Sequence, residues 1–155
     1  MEIQDNNALL LEVFSAVFEE FAFMFVEAEP DLDPGETRYC PCLQAEISFE
    51  SRDKKGFLEA VAPAEVCAEL AENILGTEQE ELPEQAEEQA LTELLNVSCG
   101  YLLAERFGTE EVFDLSIPQT RAVEEQEWSA LVEDGSDFCL RVDESPLLAR
   151  FVLQQ

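Results

Sequence analysis

The sequence predicts an α+β domain in which two long helices pack on an antiparallel sheet, each helix followed by its own β-hairpin. Three observations carry that prediction. Apolar residues recur at helical intervals in Ala8–Glu27 and again in Gln89–Gly108. Leu43–Glu50 alternates without error, setting Leu43, Ala45, Ile47 and Phe49 against Gln44, Glu46, Ser48 and Glu50, the period of a half-buried strand. Turn-forming residues fall at similar places after each helix, so the chain reads as an internal duplication.

Taken in order, Ala8–Glu27 is the first helix, with Leu10, Leu11, Phe14, Val17, Phe18, Phe21 and Phe25 on its apolar side. Glu29–Pro41 is a loop bearing Pro and Gly. After the Leu43–Glu50 strand, Ser51–Gly56 turns the chain and Phe57–Ala62 returns as a second strand. Pro63 suits the opening of a helix that runs to Leu75, and Gly76 suits its end. Thr77–Glu88, rich in Glu and Gln, is a solvated connector whose acidic residues favour the positive end of the next helix dipole. Beyond the second long helix, Val112–Ile117 alternates as a strand, with Phe113, Leu115 and Ile117 against Asp114 and Ser116. Trp128–Val132 and Phe138–Val142 flank Asp134-Gly135, a hairpin signal. Ser145-Pro146 then opens a short apolar segment, Leu147–Leu153. The expected organisation is a single 1–155 domain with pseudo-repeats at about 8–76 and 83–155. Gly56 corresponds roughly to Gly135, and Pro63 to Pro146.

Composition narrows the function. With 46% hydrophobic residues and eleven Phe in 155 residues, the chain has material for a real core. Its 36 acidic residues against 8 basic ones give a formal net charge of −28. Nucleic acid is excluded as a partner, because binding it needs a basic surface that releases counterions, and an anionic membrane is disfavoured for the same reason. A protein offering Lys or Arg is the expected partner. There is no His, which removes His-dependent triads and imidazole–metal sites. The five cysteines, 40, 42, 67, 99 and 139, lack a disulfide-framework spacing. Cys40-Pro41-Cys42 has the form of a redox or metal half-site, but no second pair completes a tetrahedral set, so the thiols read as ordinary and no metal is expected. MEIQDNNALL lacks the basic start of a signal peptide, and the apolar stretch near Phe21–Val26 is too short to span a bilayer. A cytoplasmic protein is expected.

The candidate site is a polar stripe on the second long helix. At about 100° per residue, Gln89, Glu93, Asn96 and Gly100 fall within roughly 60° of one another. Leu91, Leu95, Ser98 and Leu102 take a different side. Shifting Glu12, Ser15 and Glu19 by 81 positions gives Glu93, Asn96 and Gly100, so the first repeat carries a degenerate copy. Gly100 inside a helix costs about 1 kcal/mol relative to Ala, which calls for either tight helix packing or clearance for a partner.

Glu93 and Asn96, with Gly100 and the run VFDLSIP ending at Pro118, resemble the CheC/CheX family of chemotaxis phosphatases. That family's pattern is an Asp or Ser, a Glu four residues later, an Asn three after that, and a Pro about twenty beyond. Gln89 departs from it at the first position, a peripheral contact. EVFSAVFEEFAFMF and ILG extend the resemblance into the amino-terminal half, so it covers most of the chain. With Ser15 in place of the amide and Glu19 in place of the glycine, the chain resembles CheX-type members with a single site. The resemblance implies a homodimer that dephosphorylates a CheY-like response regulator. Glu93 and Asn96 would be catalytic, while Gln89, Gly100 and Pro118 would contact the partner, although Pro118 also reads simply as a strand terminator. No cofactor is implied on this chain, since Mg²⁺ would sit on the regulator. The alternative is a non-catalytic adaptor that binds a regulator or a flagellar switch component through the same helix face.

Overall fold

A computed structural model describes residues 2–28 (side chains from Asn6), 41–76, 78, 83–135 and 137–154. Helix α1, Glu2–Ala22, buries Leu10, Val13, Phe14, Val17 and Phe18 completely or nearly so. Each such side chain contributes roughly 1.5–3 kcal/mol. The sequence extends this helix to Glu27, but it stops at Ala22. Phe23 adopts φ 57° and closes the last turn by donating its N–H to Glu19 O. Asn73 Nδ2 satisfies Ala22 O at 2.6 Å. Met24 and Val26 then alternate, buried, with exposed Phe23 and Phe25, and Val26–Ala28 forms strand β1. Aromatic and β-branched residues favour that pleated outcome over another helical turn. The expected loop at Glu29–Pro41 lies outside the described residues except for Pro41.

Strands β2, Cys42–Glu50, and β3, Lys55–Pro63, form a hairpin paired along its whole length. The turn is therefore shorter than expected, and Gly56 lies inside β3. Pro63 is the N-cap of α2, Ala64–Leu75, and Gly76 ends that helix at φ 67°, donating its N–H to Glu72 O. The second long helix, α3, spans Ala86–Phe107 with Gly108 as its C-cap.

The carboxy-terminal third departs furthest from expectation. Val112–Ile117 is not one strand. Only Asp114–Leu115 (β4) pairs with β2, whereas Val112 and Ile117 are 80% and 85% exposed. Strand β5, Gln119–Val123, pairs further along β2. Trp128–Val132 is not a strand either: Glu125–Asp134 is helix α4, whose C-cap Gly135 has φ 72°. Trp128, Leu131 and Val132 sit at helical spacing and cover Cys42, Val61, Val123 and Leu148. The Asp134-Gly135 signal thus ends a helix, and the correspondence of Gly56 with Gly135 fails. The hairpin lies later, between β6 (Phe138–Val142) and β7 (Ser145–Gln154).

Among the described residues the sheet has seven strands. Six follow the order β1-β6-β7-β3-β2-β4, and β5 also pairs with β2. Helices α1, α2 and α3 share one core with one sheet face, and α4 covers part of the other through the small cluster around Trp128. The order is symmetric about the β7–β3 pair. The strand after each long helix pairs not with its own hairpin but with that of the other half.

Candidate functional site

Helix α3 is held by its apolar side. Ala90, Leu91, Leu94, Leu95, Cys99, Leu102 and Leu103 are buried among α1, α2 and β2. Acidic Glu87 and Glu88 lie in its first turn, beside the positive end of the helix dipole. The opposite side presents Gln89, Glu93, Asn96 and Gly100, all exposed, in a row along the axis. Thr92 Oγ1 donates to Gln89 O at 2.9 Å beside them. Among the described residues, no hydrogen bond or ion pair engages the side chains of Glu93 or Asn96. A carboxylate and a carboxamide one turn apart are therefore both free to meet an incoming group.

Gly100 resolves between its two readings. A Cβ there would meet no atom within 4 Å, so nothing in this chain packs tightly against it. Its bare backbone instead opens a groove of about 290 Å³ that runs from α3 to β4. Leu103, Ala104, Phe113 and Leu115 contribute apolar surface, and Glu111 is the one ionisable residue in the lining.

No protein-family model and no curated protein sequence matches the chain. Solved structures do. CheX from Vibrio vulnificus superposes with a TM-score of 0.67 at 12% identity, over 95% of each chain. A CheC-like superfamily protein from Shewanella sp. PV-4 gives 0.64 at 17%, over 97% of this chain and 98% of the other. CheX from Borrelia burgdorferi, solved with CheY, BeF3 and Mg²⁺, gives 0.63 at 12%, over 96% and 97%. The fold is that of the CheX and CheC-like chemotaxis proteins.

Within this CheX-like fold the remaining sequence candidates separate. Pro118 is half-buried at the break between β4 and β5 and does not line the groove. Its position is that of a strand terminator. On α1, Glu12 and Glu19 are exposed and Ser15 is half-buried, so no carboxamide stands at the position equivalent to Asn96. Of the Cys40-Pro41-Cys42 half-site, Cys40 lies outside the described residues, and Cys42 is buried in the sheet. The Cys67 and Cys99 thiols are pushed up to about 12 by burial, which leaves them protonated and unreactive at neutral pH. Among the described residues no group of three or more His, Cys, Asp or Glu side chains is arranged to hold a metal. No helix described here is long and apolar enough to cross a membrane.

Sequence reasoning missed the contacts that brace Glu111 behind the groove. Lys54, from the β2–β3 turn, reaches both carboxylate oxygens of Glu111 at 3.0 Å and lies 5.3 Å from the centre of the Phe107 ring. Ser51 Oγ donates to Glu111 Oε2 at 2.9 Å. The hydrogen bond to Glu111 holds the Lys54 ammonium above its ordinary pKa. The available signal was scarcity: Lys54 is one of only eight basic residues in the chain.

Proposed function

We propose that this protein accelerates hydrolysis of the aspartyl phosphate of a CheY-like response regulator, in chemotaxis or related two-component signalling in the cytoplasm. The observation that carries the reading is the exposed, unengaged Glu93–Asn96 pair on a rigid helix, next to a glycine that leaves room for a partner backbone. The fold of a CheX solved together with CheY supports it.

An aspartyl phosphate is already labile, and the regulator supplies its own Mg²⁺ and the phosphoryl group. What remains is to aim a water for in-line attack. Phosphoryl transfer depends mostly on positioning and electrostatics, and a carboxamide can orient water without acting as a base. Asn96 takes that role. Glu93 pairs with a lysine of the regulator beside the phosphorylated aspartate, a charge-assisted contact that sets register. Gln89, at the outer end of the stripe, contacts the partner rim. This chain works as a homodimer and needs no cofactor of its own.

The test is single-turnover loss of phosphate from a pre-phosphorylated regulator. Asn96 is exposed and unengaged, so Asn96→Ala should leave stability within about 0.5 kcal/mol. It should lower kcat on the order of a hundredfold with little change in affinity. Glu93→Ala should instead weaken binding by roughly 2 kcal/mol. A folded Asn96→Ala protein that keeps full activity removes the water-positioning mechanism and leaves the adaptor reading.

A further inference from the structure

We infer that the groove between Gly100 and Leu115 receives an apolar side chain of the response regulator, making it a specificity pocket beside the catalytic stripe. This rests on the reading of Glu93 and Asn96 given above and adds a second point of recognition to it.

The argument begins with charge. In a protein of net charge −28, a surface depression would ordinarily be acidic and would select a cation. This one is not. Glu111 is the one ionisable residue in its lining, and Lys54, which also meets the exposed Asp53 at 3.3 Å, pairs with it through two contacts of 3.0 Å. The rest of the lining includes Leu103, Ala104, Phe113 and Leu115. On the same two segments Val112 and Ile117 stand 80% and 85% exposed and Tyr101 43%, so the chain around the groove carries further exposed apolar surface. An exposed apolar patch bounded by charge marks a binding surface.

Position supplies the second argument. The groove opens at Gly100, one helical turn beyond Asn96 on the same side of α3. A regulator that brings its phosphorylated aspartate to Asn96 must lay neighbouring chain across Gly100. Glu93 then reads a cation and the groove reads an apolar side chain, at opposite ends of one contact. Lys54 is a positioning residue: by tying the β2–β3 turn to Glu111 it holds the far wall and keeps that carboxylate out of the pocket's charge balance.

The test measures affinity of the dimer or monomer as purified for a receiver domain loaded with beryllofluoride and Mg²⁺, with light scattering alongside. Leu115 is 39% exposed and Gly100 has open space around it, so Leu115→Asp and Gly100→Leu are both expected to fold. Both should raise Kd at least about tenfold, whereas Asn96→Ala retains affinity and loses rate in the same assay. Wild-type affinity in folded Leu115→Asp overturns the pocket while leaving the role of Asn96 standing. The same holds if Leu115→Asp changes the oligomeric mass instead of regulator affinity, since the groove would then belong to a contact between copies. Loss of rate in neither Asn96→Ala nor Glu93→Ala marks failure of the functional reading itself.

Discussion

Asp137 should destabilise this protein at neutral pH, and replacing it with Asn should make the protein more stable. Its side chain is only 2% exposed, no N–H donor reaches either carboxylate oxygen, the neighbouring Glu59 carboxyl is its one hydrogen-bonding contact, and Arg150 Nε comes no closer than 3.8 Å. Glu59 lies opposite Arg150 in the β3–β7 register and is itself buried. Burial raises both carboxyl pKa values. The Asp137 charge adds to the rise at Glu59 and Asp134 adds to it at Asp137; Arg150 opposes it at both, as do hydrogen bonds of Gln44 at Glu59 and of Glu59 at Asp137. Two buried carboxylates thus face one half-exposed cation. Because both folded-state values exceed the unfolded ones, the native state holds protons that the unfolded chain has already released. Stability from this pair therefore falls as pH rises from the ordinary carboxylate range through the raised values, and acidification from neutrality restores it. A buried polar group left unsatisfied costs about 1–3 kcal/mol, and Arg150 offsets part of that. A net gain of about 1 kcal/mol for Asp137→Asn corresponds to a Tm increase of roughly 2–4 °C in a chain of this size. Thermal unfolding followed by fluorescence of the buried Trp128 should show that gain near neutral pH and progressively less of it as the pH is lowered into the ordinary carboxylate range. If Asp137→Asn melts lower than wild type at neutral pH, or gains equally across that range, the Arg150 contact outweighs desolvation and the reasoning fails.

Other outcomes can be checked with equally simple measurements. A Cβ at Gly56 would clash with Val152 O and lie 2.7 Å from the Phe49 ring. Gly56→Ala should therefore cost about 3 kcal/mol and lower Tm by roughly 6–12 °C, and a Tm within 2 °C of wild type would refute that clash. Light scattering at physiological salt should give twice the 17.4 kDa chain mass, with dissociation favoured at low salt, where screening of the −28 charge is weakest. A monomer at both salts removes the dimer. Ser15→Ala should leave phosphatase activity within a few-fold of wild type, because Ser15 carries no carboxamide to lose; a hundredfold drop in folded protein would place a second site there.

The parts of the fold that were legible in the sequence are those where one signal has one meaning. Strict alternation in Leu43–Glu50 identifies β2 because no helix produces period two, and Ala45, Ile47 and Phe49 are buried as that pattern requires. Pro63 and Gly76 bracket α2 because a missing N–H is tolerated at a helix start and a left-handed residue at its end. Errors arose where a signal is shared. Asp134-Gly135 serves a hairpin and a helix C-cap equally well, and Trp128, Leu131 and Val132 fit a short helix as readily as a short strand. Phe21 and Phe25 stand four apart, as in a helix, yet Met24 and Val26 are the side chains that reach the core. Tertiary pairing with β6 decides that segment, and no local pattern reports it.

The candidate site divides along the same line. Its stripe lies within one helix, so residue spacing alone places Gln89, Glu93, Asn96 and Gly100 on one exposed face. Its groove lies between α3 and the segment after it, which is held in place by β2–β4 pairing and by the Ser51 and Lys54 contacts to Glu111 from the β2–β3 turn. The symmetric strand order sharpens the contrast between the halves. Where α3 has Gly100 and an open groove, α1 has Glu19, and its last turn and following segment expose Phe21, Phe23 and Phe25 instead. The two helices precede equivalent halves of the sheet order, but their outer faces differ at the positions of Asn96 and Gly100. The amide and the glycine stand together on α3, as the single contact proposed above requires, whereas α1 has Ser15 and Glu19 at the corresponding positions and buries Leu10, Phe14, Val17 and Phe18 in the core.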